Sequence, residues 1–222
     1  MFKNRKKREF AVIGLGRFGR AVVKTLSEKG FSVLGVDRDP ATVQAVLDTC
    51  TQAVVLDSTN EDALRELGIE AFDTVVVAIG ADFESNLITT VALKAIGVER
   101  VICKALSTRQ KDILLRVGAS EVVEPEADAG RELGLELAAP NLLDRIPLGD
   151  GHTIIEFRVP ASLDGKTLAE VDFRNRFSAT VMAVKHGKEI QVAPMATYVM
   201  KEGHVLVVLG QADKVVALEK LT

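Results

Sequence analysis

The sequence predicts the α/β fold class, with a doubly wound parallel sheet followed by a small α+β domain. Three observations lead to this prediction. Short apolar runs alternate with amphipathic segments six times in the first part of the chain. A glycine-rich turn follows the first of these runs, Gly14-Leu15-Gly16-Arg17-Phe18-Gly19. From His152 onward, apolar residues recur at every second position, which is typical of strands.

The six apolar runs are expected to be strands of one parallel sheet. Several contain consecutive β-branched residues, such as Val75-Val76-Val77, and this composition is typical of strands buried on both faces. The predicted strands cover residues 10–13, 32–36, 53–56, 74–79, 101–104 and 121–123. Their alternation with helical segments predicts the strand order of dinucleotide-binding folds.

Capping signals predict the helices between these strands. Asp39 followed by Pro40 is typical of a helix start. Amphipathic segments precede Gly68, Gly97 and Gly118, and each of these glycines is expected to end a helix. A further helix is predicted at 126–138 after Pro125, and residues 141–146 are expected to form another short helix.

The change of period predicts a domain boundary, with one domain over 1–145 and a second over 146–222. Within the second domain, segments 179–185 and 189–193 flank His186-Gly187-Lys188 and are predicted to form a hairpin. A strand is expected at 205–209 and a terminal helix at 211–221.

Composition narrows the class of protein. The net charge is −3, so the overall charge does not favour nucleic acid or an anionic membrane as a partner. The basic run at residues 3–8 is expected to be a solvated arm, with contact to phosphate or a partner as the alternative. No apolar stretch reaches the length of a spanning helix, and no signal peptide is recognisable, so we expect a soluble, cytoplasmic protein.

The glycine turn indicates a nucleotide site. Gly14 allows the tight turn, Gly16 lets the backbone approach a pyrophosphate, and Gly19 lets the helix pack on the strand. The helix after the turn directs free N–H groups at the phosphates. Asp37 ends the second strand at the distance expected for a carboxylate that binds a ribose diol, although it could also cap the helix that starts at Pro40. The first domain is therefore predicted to be Rossmann-like.

Further candidate residues surround this turn. Arg17 is expected to clasp phosphate oxygens or to be an exposed helix-start arginine. Asp57 could bind an adenine amino group or cap the next helix, and Lys104 could contact phosphate or extend to solvent. Asp37 argues against a 2′-phosphorylated ligand, and Arg38 weakens that exclusion. The remaining candidates are Phe18 in the glycine turn, and Ser58, Ile79, Gly80 and Ala81 at the carboxyl ends of the strands.

The sequence indicates metal binding and catalysis less clearly than nucleotide binding. Glu126 and Asp128 are typical first-turn acids of a helix, and a hard divalent cation is the functional alternative. No set of residues resembles a Ser-His-Asp triad or a hydride-transfer site, so we expect no catalytic residues. The nucleotide is therefore expected to be a signal and the protein not to be an enzyme.

The combination of motifs closely resembles the Ktr/Trk regulatory subunits, the cytosolic RCK (KTN) proteins of bacterial potassium uptake systems. The matching segments are 10–19, Val76-Val77-Ala78-Ile79-Gly80-Ala81, Ile102-Cys103-Lys104-Ala105 and Pro125-Glu126 in the first domain, with 163–168 and 202–210 in the second. The resemblance implies an RCK N-terminal and an RCK C-terminal domain.

The resemblance also implies ligands and partners. ATP and ADP would compete for the first domain, with Arg17 at the phosphates, Asp37 at the ribose, and Asp57 and Ser58 on the side of the base. Ile79, Gly80 and Lys104 would lie at the edge of the crevice. Glu126 would join a divalent cation, Mg or Ca. The family forms dimers, commonly within an octameric ring, against an integral-membrane potassium channel subunit. In some relatives the C-terminal domain binds cyclic di-AMP, and Arg174 falls in that region here.

Two other functions share the same motifs. An NAD(H)-binding redox sensor would use the same turn and Asp37 but would read the nicotinamide. A small NAD-dependent oxidoreductase would in addition need a substrate domain. Arg17 in the phosphate loop favours ATP over NAD.

Overall fold

The computed structural model describes residues 8–139, 141–215, 217, 218 and 221. Most of the basic run at residues 3–8 therefore lies outside the described residues. Contacts divide the chain into two compact units, Met1–Ala129 and Gly130–Thr222. The division into 1–145 and 146–222 stays a prediction, because contacts do not measure which segments fold independently.

The first unit contains a parallel sheet of six strands, as the alternating pattern predicted. The strands are β1 (Glu9–Ile13), β2 (Ser32–Asp37), β3 (Gln52–Val55), β4 (Thr74–Val77), β5 (Val101–Lys104) and β6 (Glu121–Val123). Their order is β3-β2-β1-β4-β5-β6, and every neighbouring pair is parallel. The order reverses beside β1, so the carboxyl ends of β1 and β4 diverge into a crevice.

Helices alternate with these strands. They are α1 (Arg17–Glu28), α2 (Pro40–Gln44), α3 (Glu61–Glu66), α4 (Phe83–Ile96), α5 (Thr108–Arg116) and α6 (Pro125–Ala138). Gly68 and Gly97 take positive φ where α3 and α4 end, as predicted. Two separate apolar clusters flank the sheet, one containing Val23 and Val43 and the other Leu64, Leu93 and Leu114. The sheet is thus covered on both faces, which explains the near-continuous apolar strands.

The second unit contains an antiparallel sheet of five strands in the order β10-β9-β11-β8-β7. The strands are β7 (Leu142–Gly149), β8 (His152–Arg158), β9 (Ala179–His186), β10 (Glu189–Val192) and β11 (Val205–Gln211). Short helices accompany them at α7 (Leu168–Val171), α8 (Phe173–Phe177) and α9 (Ala212–Val215). The predicted hairpin is confirmed by the antiparallel pairing of β9 with β10. The predicted terminal helix is observed over α9, and part of the remainder lies outside the described residues.

The prediction of a short helix at 141–146 is wrong, because β7 occupies this segment. β7 pairs with β8 through the turn around Gly149, Asp150 and Gly151, which all have positive φ. The pairing buries Leu142 in the second core and leaves Leu143 exposed. Tertiary pairing therefore overrides the local helical preference of these residues.

Among the described helices, none combines the length and apolar character that a membrane span requires.

Candidate functional site

A cavity of about 270 Å³ lies at the carboxyl edge of the parallel sheet. It contains most of the predicted candidates, together with Asp82 and Ser85, which the sequence reasoning missed. The lining residues are Ile13, Gly14, Gly16, Asp37, Arg38, Leu56, Asp57, Ser58, Ala78, Ile79, Gly80, Ala81, Asp82 and Ser85. Arg17, Phe18, Gly19 and Lys104 do not line this cavity and belong to the adjoining helix start and strand end.

The glycine turn has the geometry that each glycine's expected role requires. Gly14 has φ +91°, donates its N–H to Val36 O at 2.8 Å, and would place a Cβ 3.0 Å from the backbone of Ala78 and Ile79. A Cβ on Gly19 would lie 1.9 Å from Gly14 O. A Cβ on Gly16 would meet no described atom within 4 Å, although Gly16 lines the cavity. Gly14 and Gly19 are therefore needed by the fold, whereas the space at Gly16 is available to a ligand.

Asp37 holds the glycine turn against the end of β2. Its Oδ2 accepts the N–H of Leu15 at 2.7 Å, and its Oδ1 accepts the N–H of Asp39 at 3.0 Å. Asp39, not Asp37, caps α2, since Asp39 Oδ1 accepts the N–H of Ala41 at 3.0 Å. The capping alternative for Asp37 is therefore wrong. The ribose contact stays a prediction, supported by the position of Asp37 in the cavity wall.

Asp57 and Ser58 follow β3 and differ in their exposure to solvent. Asp57 is exposed, and its Oδ1 accepts from the N–H and the hydroxyl of Thr59 at 3.0 and 2.7 Å. These hydrogen bonds lower the pKa of Asp57. The cap of α3 is Asn60, so the alternative of Asp57 as a helix cap is wrong. Ser58 is buried, and its hydroxyl is 2.8 Å from that of Thr89.

Two polar residues at the start of α4 were missed by the sequence reasoning. Asp82 caps α4, with Oδ1 accepting the N–H of Ser85 at 3.0 Å, and it lies 3.6 Å from Arg38. Asn86 is 1% exposed, and its Nδ2 donates to Ile79 O at 2.6 Å and to Lys104 O at 2.9 Å. Asn86 thereby joins the carboxyl ends of β4 and β5. An aspartate in this position is typical of a helix cap, but nothing local places Asp82 at a cavity or predicts the two carbonyl contacts of Asn86.

Lys104 lies beside the cavity in an ion pair. Its Nζ donates to Glu126 Oε1 at 2.5 Å and sits 5.7 Å from the centre of the Phe18 ring. The side chain of Lys104 is only 10% exposed, so the alternative of a lysine extended into solvent is wrong. The hydrogen bond from Lys104 lowers the pKa of Glu126, and the charge of Arg17 lowers it further. Contacts of Lys104 and Arg17 with phosphate stay predictions.

The divalent-cation role of Glu126 also stays a prediction. Within the described part of the chain, no group of three or more His, Cys, Asp or Glu residues is placed to hold a metal ion. A cation at Glu126 would have to compete with Lys104 for the carboxylate, and ligands from a nucleotide or a second chain would have to complete its coordination.

Acid is expected to destabilise this unit through its hydrogen-bonded carboxylates. The pKa values of Asp39 and Asp82 are lowered from 3.8, mainly by the hydroxyl groups of Thr42 and Ser85. A carboxylate with a lowered pKa in the folded state stabilises the protein above its unfolded pKa and loses that contribution as pH falls through the folded pKa. The melting temperature should thus stay level down to about pH 4 and then fall. In the double variant Asp39→Asn/Asp82→Asn, which keeps both capping oxygens, thermal melts should show a shallower fall below pH 4. If the melting temperature of the double variant fell below pH 4 as steeply as that of the wild type, these two carboxylates would not be the cause of the acid destabilisation.

Comparison with known proteins shows that each half of the chain matches a known domain family. Residues 10–125 match the TrkA-N domain family, and residues 154–222 match the TrkA-C domain family. The chain is 37% identical over 214 residues to the Ktr system potassium uptake protein C of Bacillus subtilis (strain 168), covering 96% of this chain and 97% of the relative. It is 34% identical over 214 residues to the Ktr system potassium uptake protein A of the same organism, with 96% of each chain covered.

Solved structures support the fold. The GsuK channel matches with a TM-score of 0.70 and 19% identity, covering 99% of this chain and 40% of the channel chain. The GsuK channel bound to NAD matches with a TM-score of 0.54 and 22% identity over 98% of this chain and 39% of the other. GsuK bound to ADP matches with a TM-score of 0.53 and 15% identity over 61% of this chain and 36% of the other. Both domain families match in this order, and the similarity to Ktr proteins extends over 96% of the chain, so the chain belongs to the TrkA-N/TrkA-C family of Ktr system potassium uptake proteins.

Proposed function

We propose that this protein is the nucleotide-sensing regulatory subunit of a potassium channel or transporter. In this proposal ATP and ADP occupy the same cavity and stabilise different shapes of a ring of subunits. The observation that carries the proposal is the cavity beside the glycine turn, with open space at Gly16 and a carboxylate, Asp37, at the end of β2. The membership of the chain in the Ktr family supports the potassium system as its context.

The cavity offers separate surfaces for the parts of an adenine nucleotide. The phosphates would lie against Gly16 and the first N–H groups of α1, where the helix dipole favours negative charge. Arg17 and Lys104 are cations near that end, and the Phe18 ring covers Lys104. The ribose would meet Asp37. Asp57 would accept a hydrogen bond from the adenine amino group, beside Ser58, Ile79 and Ala81 of the cavity wall.

A signal acts through a difference in binding energy between two states. The additional phosphate of ATP carries charge that ADP lacks, and Arg17, Lys104 and Glu126 are charged groups close enough to interact with one another beside the helix start. A third phosphate would attract Lys104 away from Glu126, and the released carboxylate could then bind Mg or Ca. Such an exchange couples nucleotide identity to contacts at α6, and no bond of the nucleotide needs to break.

The partners in this proposal follow the family. The protein would form a homo-oligomer of dimers, as an octameric ring, and bind an integral-membrane potassium channel subunit at the cytoplasmic face of the membrane. The second unit offers a cavity of about 250 Å³, lined in part by Asp172, Arg174 and Thr180. Arg174 could pair with a phosphate there, so cyclic di-AMP is included among the proposed ligands.

An NAD(H)-binding sensor is the second candidate, with a small NAD-dependent oxidoreductase as its catalytic variant. The likeness to GsuK bound to NAD favours it, because the same fold accommodates that dinucleotide. The two candidates differ in ligand preference and in whether the nucleotide is consumed.

Small-angle X-ray scattering with ATP or ADP, each with magnesium, tests the regulatory proposal. We expect a multi-chain particle whose profile differs between the two nucleotides and converts when one replaces the other. Chromatography of the recovered nucleotide should show it intact. Identical profiles with ATP and ADP, a monomer at micromolar concentration, or oxidation of added NADH would contradict the proposal.

A further inference from the structure

The charges around the cavity are unevenly distributed. Three carboxylates belong to its wall, those of Asp37, Asp57 and Asp82, and Arg38 is the one cationic side chain among the described lining residues. Arg38 directly follows Asp37 at the end of β2. In Rossmann-like sites, an acid at this position binds the ribose 2′-hydroxyl, whereas a nearby arginine can accept a 2′-phosphate. The ionic partners of Arg38 therefore affect whether the site accepts a ribose with a free 2′-hydroxyl or one with a 2′-phosphate.

Arg38 is already engaged by a carboxylate. Its Nη1 lies 3.6 Å from Asp82 Oδ2. The pKa values of Asp57 and Asp82 are lowered mainly by hydrogen bonds from Thr59 and Ser85, and the positive charge of Arg38 lowers both further. Arg38 is thus paired with one carboxylate, that of Asp82, on the edge of the cavity that an additional phosphate would have to approach.

Asp82 is fixed in place by the helix that it caps. Its Oδ1 accepts the N–H of Ser85 at 3.0 Å, and its Oδ2 accepts the Ser85 hydroxyl at 2.7 Å. α4 begins directly after this aspartate, which lines the same cavity as Asp37 and Arg38. A carboxylate held by three polar contacts cannot turn away from an incoming anion without losing them.

We infer that Asp82 is a specificity-determining residue, which pairs with Arg38 and makes the site select adenine nucleotides with a free 2′-hydroxyl over 2′-phosphorylated ones. The inference rests on the proposed adenine-nucleotide site and adds its ribose selectivity. Asp37 repels a 2′-phosphate directly. Asp82 pairs with Arg38, the cation that would otherwise attract this phosphate. Both acids then act in the same direction within one cavity.

Asp82→Asn tests this inference, because asparagine also caps helices and keeps the shape of the side chain. The ligands are AMP and adenosine 2′,5′-bisphosphate, which differ only in the 2′-phosphate, and each displaces a fluorescent ADP analogue. We expect the affinity for the bisphosphate to rise about fivefold relative to AMP, as expected for the loss of one exposed ion pair. The affinity for AMP, measured in the same variant, is the reference for this ratio, so a general effect of the substitution on nucleotide binding cancels. In Arg38→Met/Asp82→Asn the gain should vanish, since the freed guanidinium is gone.

Glu84→Gln is the matched control. Glu84 lies in the first turn of α4, carries the same charge and does not line the cavity. An equal gain in Glu84→Gln would mean that overall charge sets the selectivity and would overturn the inference. An unchanged ratio in Asp82→Asn, with the ADP analogue still bound, would overturn the inference and leave the proposed function standing. Failure of the wild-type protein to bind the ADP analogue would overturn both.

Discussion

Replacing Gly19 with alanine is expected to lower the free energy of unfolding of the first unit by about 3 kcal/mol. The added Cβ would lie 1.9 Å from Gly14 O and 3.3 Å from the Cβ of Ala78. The nearest atom belongs to the backbone, and its residue, Gly14, is itself wedged against Ala78 and Ile79. Neither α1 nor the turn can therefore move aside without loosening the packing of helix on strand.

Thermal melting followed by circular dichroism measures this loss. A change of about 3 kcal/mol corresponds to roughly 10 °C in a protein of this size. Gly134→Ala is a suitable control, since a Cβ on this α6 glycine meets no described atom within 4 Å, and alanine favours the helix. A Gly19→Ala protein that melts within 2 °C of the wild type, in the approximation of two-state unfolding, would contradict the packing role.

Gly16→Ala is expected to have the opposite profile, with loss of nucleotide binding and little loss of stability. Gly16 has φ −67° and ψ −170°, which alanine adopts freely. Its Cβ would enter the cavity, in the space assigned to the phosphates. A methyl group there should weaken ADP and ATP by roughly 10- to 100-fold, the effect of a steric clash of 1–3 kcal/mol. The melting temperature should change by no more than about 3 °C, because only the preference at a helix N-cap is affected.

The two variants differ by three positions in one turn, so each serves as the control for the other. Binding is measured by titration calorimetry at a temperature where both are folded, and melting is measured without nucleotide. If Gly16→Ala bound ADP as tightly as the wild type, the phosphates would not lie against this turn. If it lost binding and stability together, the separation of roles between Gly16 and Gly19 would be wrong.

The sequence allowed prediction of the first unit's fold because its signals are local. Strands such as β4 consist of consecutive apolar residues, and caps such as Asp39 lie next to the helices they start. The turn at Gly14 and the carboxyl-edge candidates followed from the same logic. Residues 141–146 were predicted wrongly because their strand state depends on β8, and the pattern within the segment alone did not reveal that pairing.

Several contacts at the candidate site join residues that are far apart in the sequence, and the local pattern did not predict them. Lys104 and Glu126 are 22 residues apart, and Asn86 contacts a carbonyl 18 residues away. Asp82 was missed because its proximity to Arg38 arises when the chain crosses from β3 at the sheet edge to β4 beside β1, and no local spacing encodes this connection. The hydrogen bond from Leu15 to Asp37 was also not predictable, so Asp37→Ala would loosen the turn as well as remove the proposed ribose contact. For that reason Gly16→Ala is the cleaner probe.

The most direct test is a calorimetric titration of the wild-type protein with ADP, ATP and NADH, each with and without magnesium. We expect ADP and ATP to bind at micromolar concentration with one nucleotide per chain, and to compete with each other. No heat with either adenosine phosphate, together with tight binding of NADH, would contradict the assignment of the glycine turn to an ATP/ADP signal.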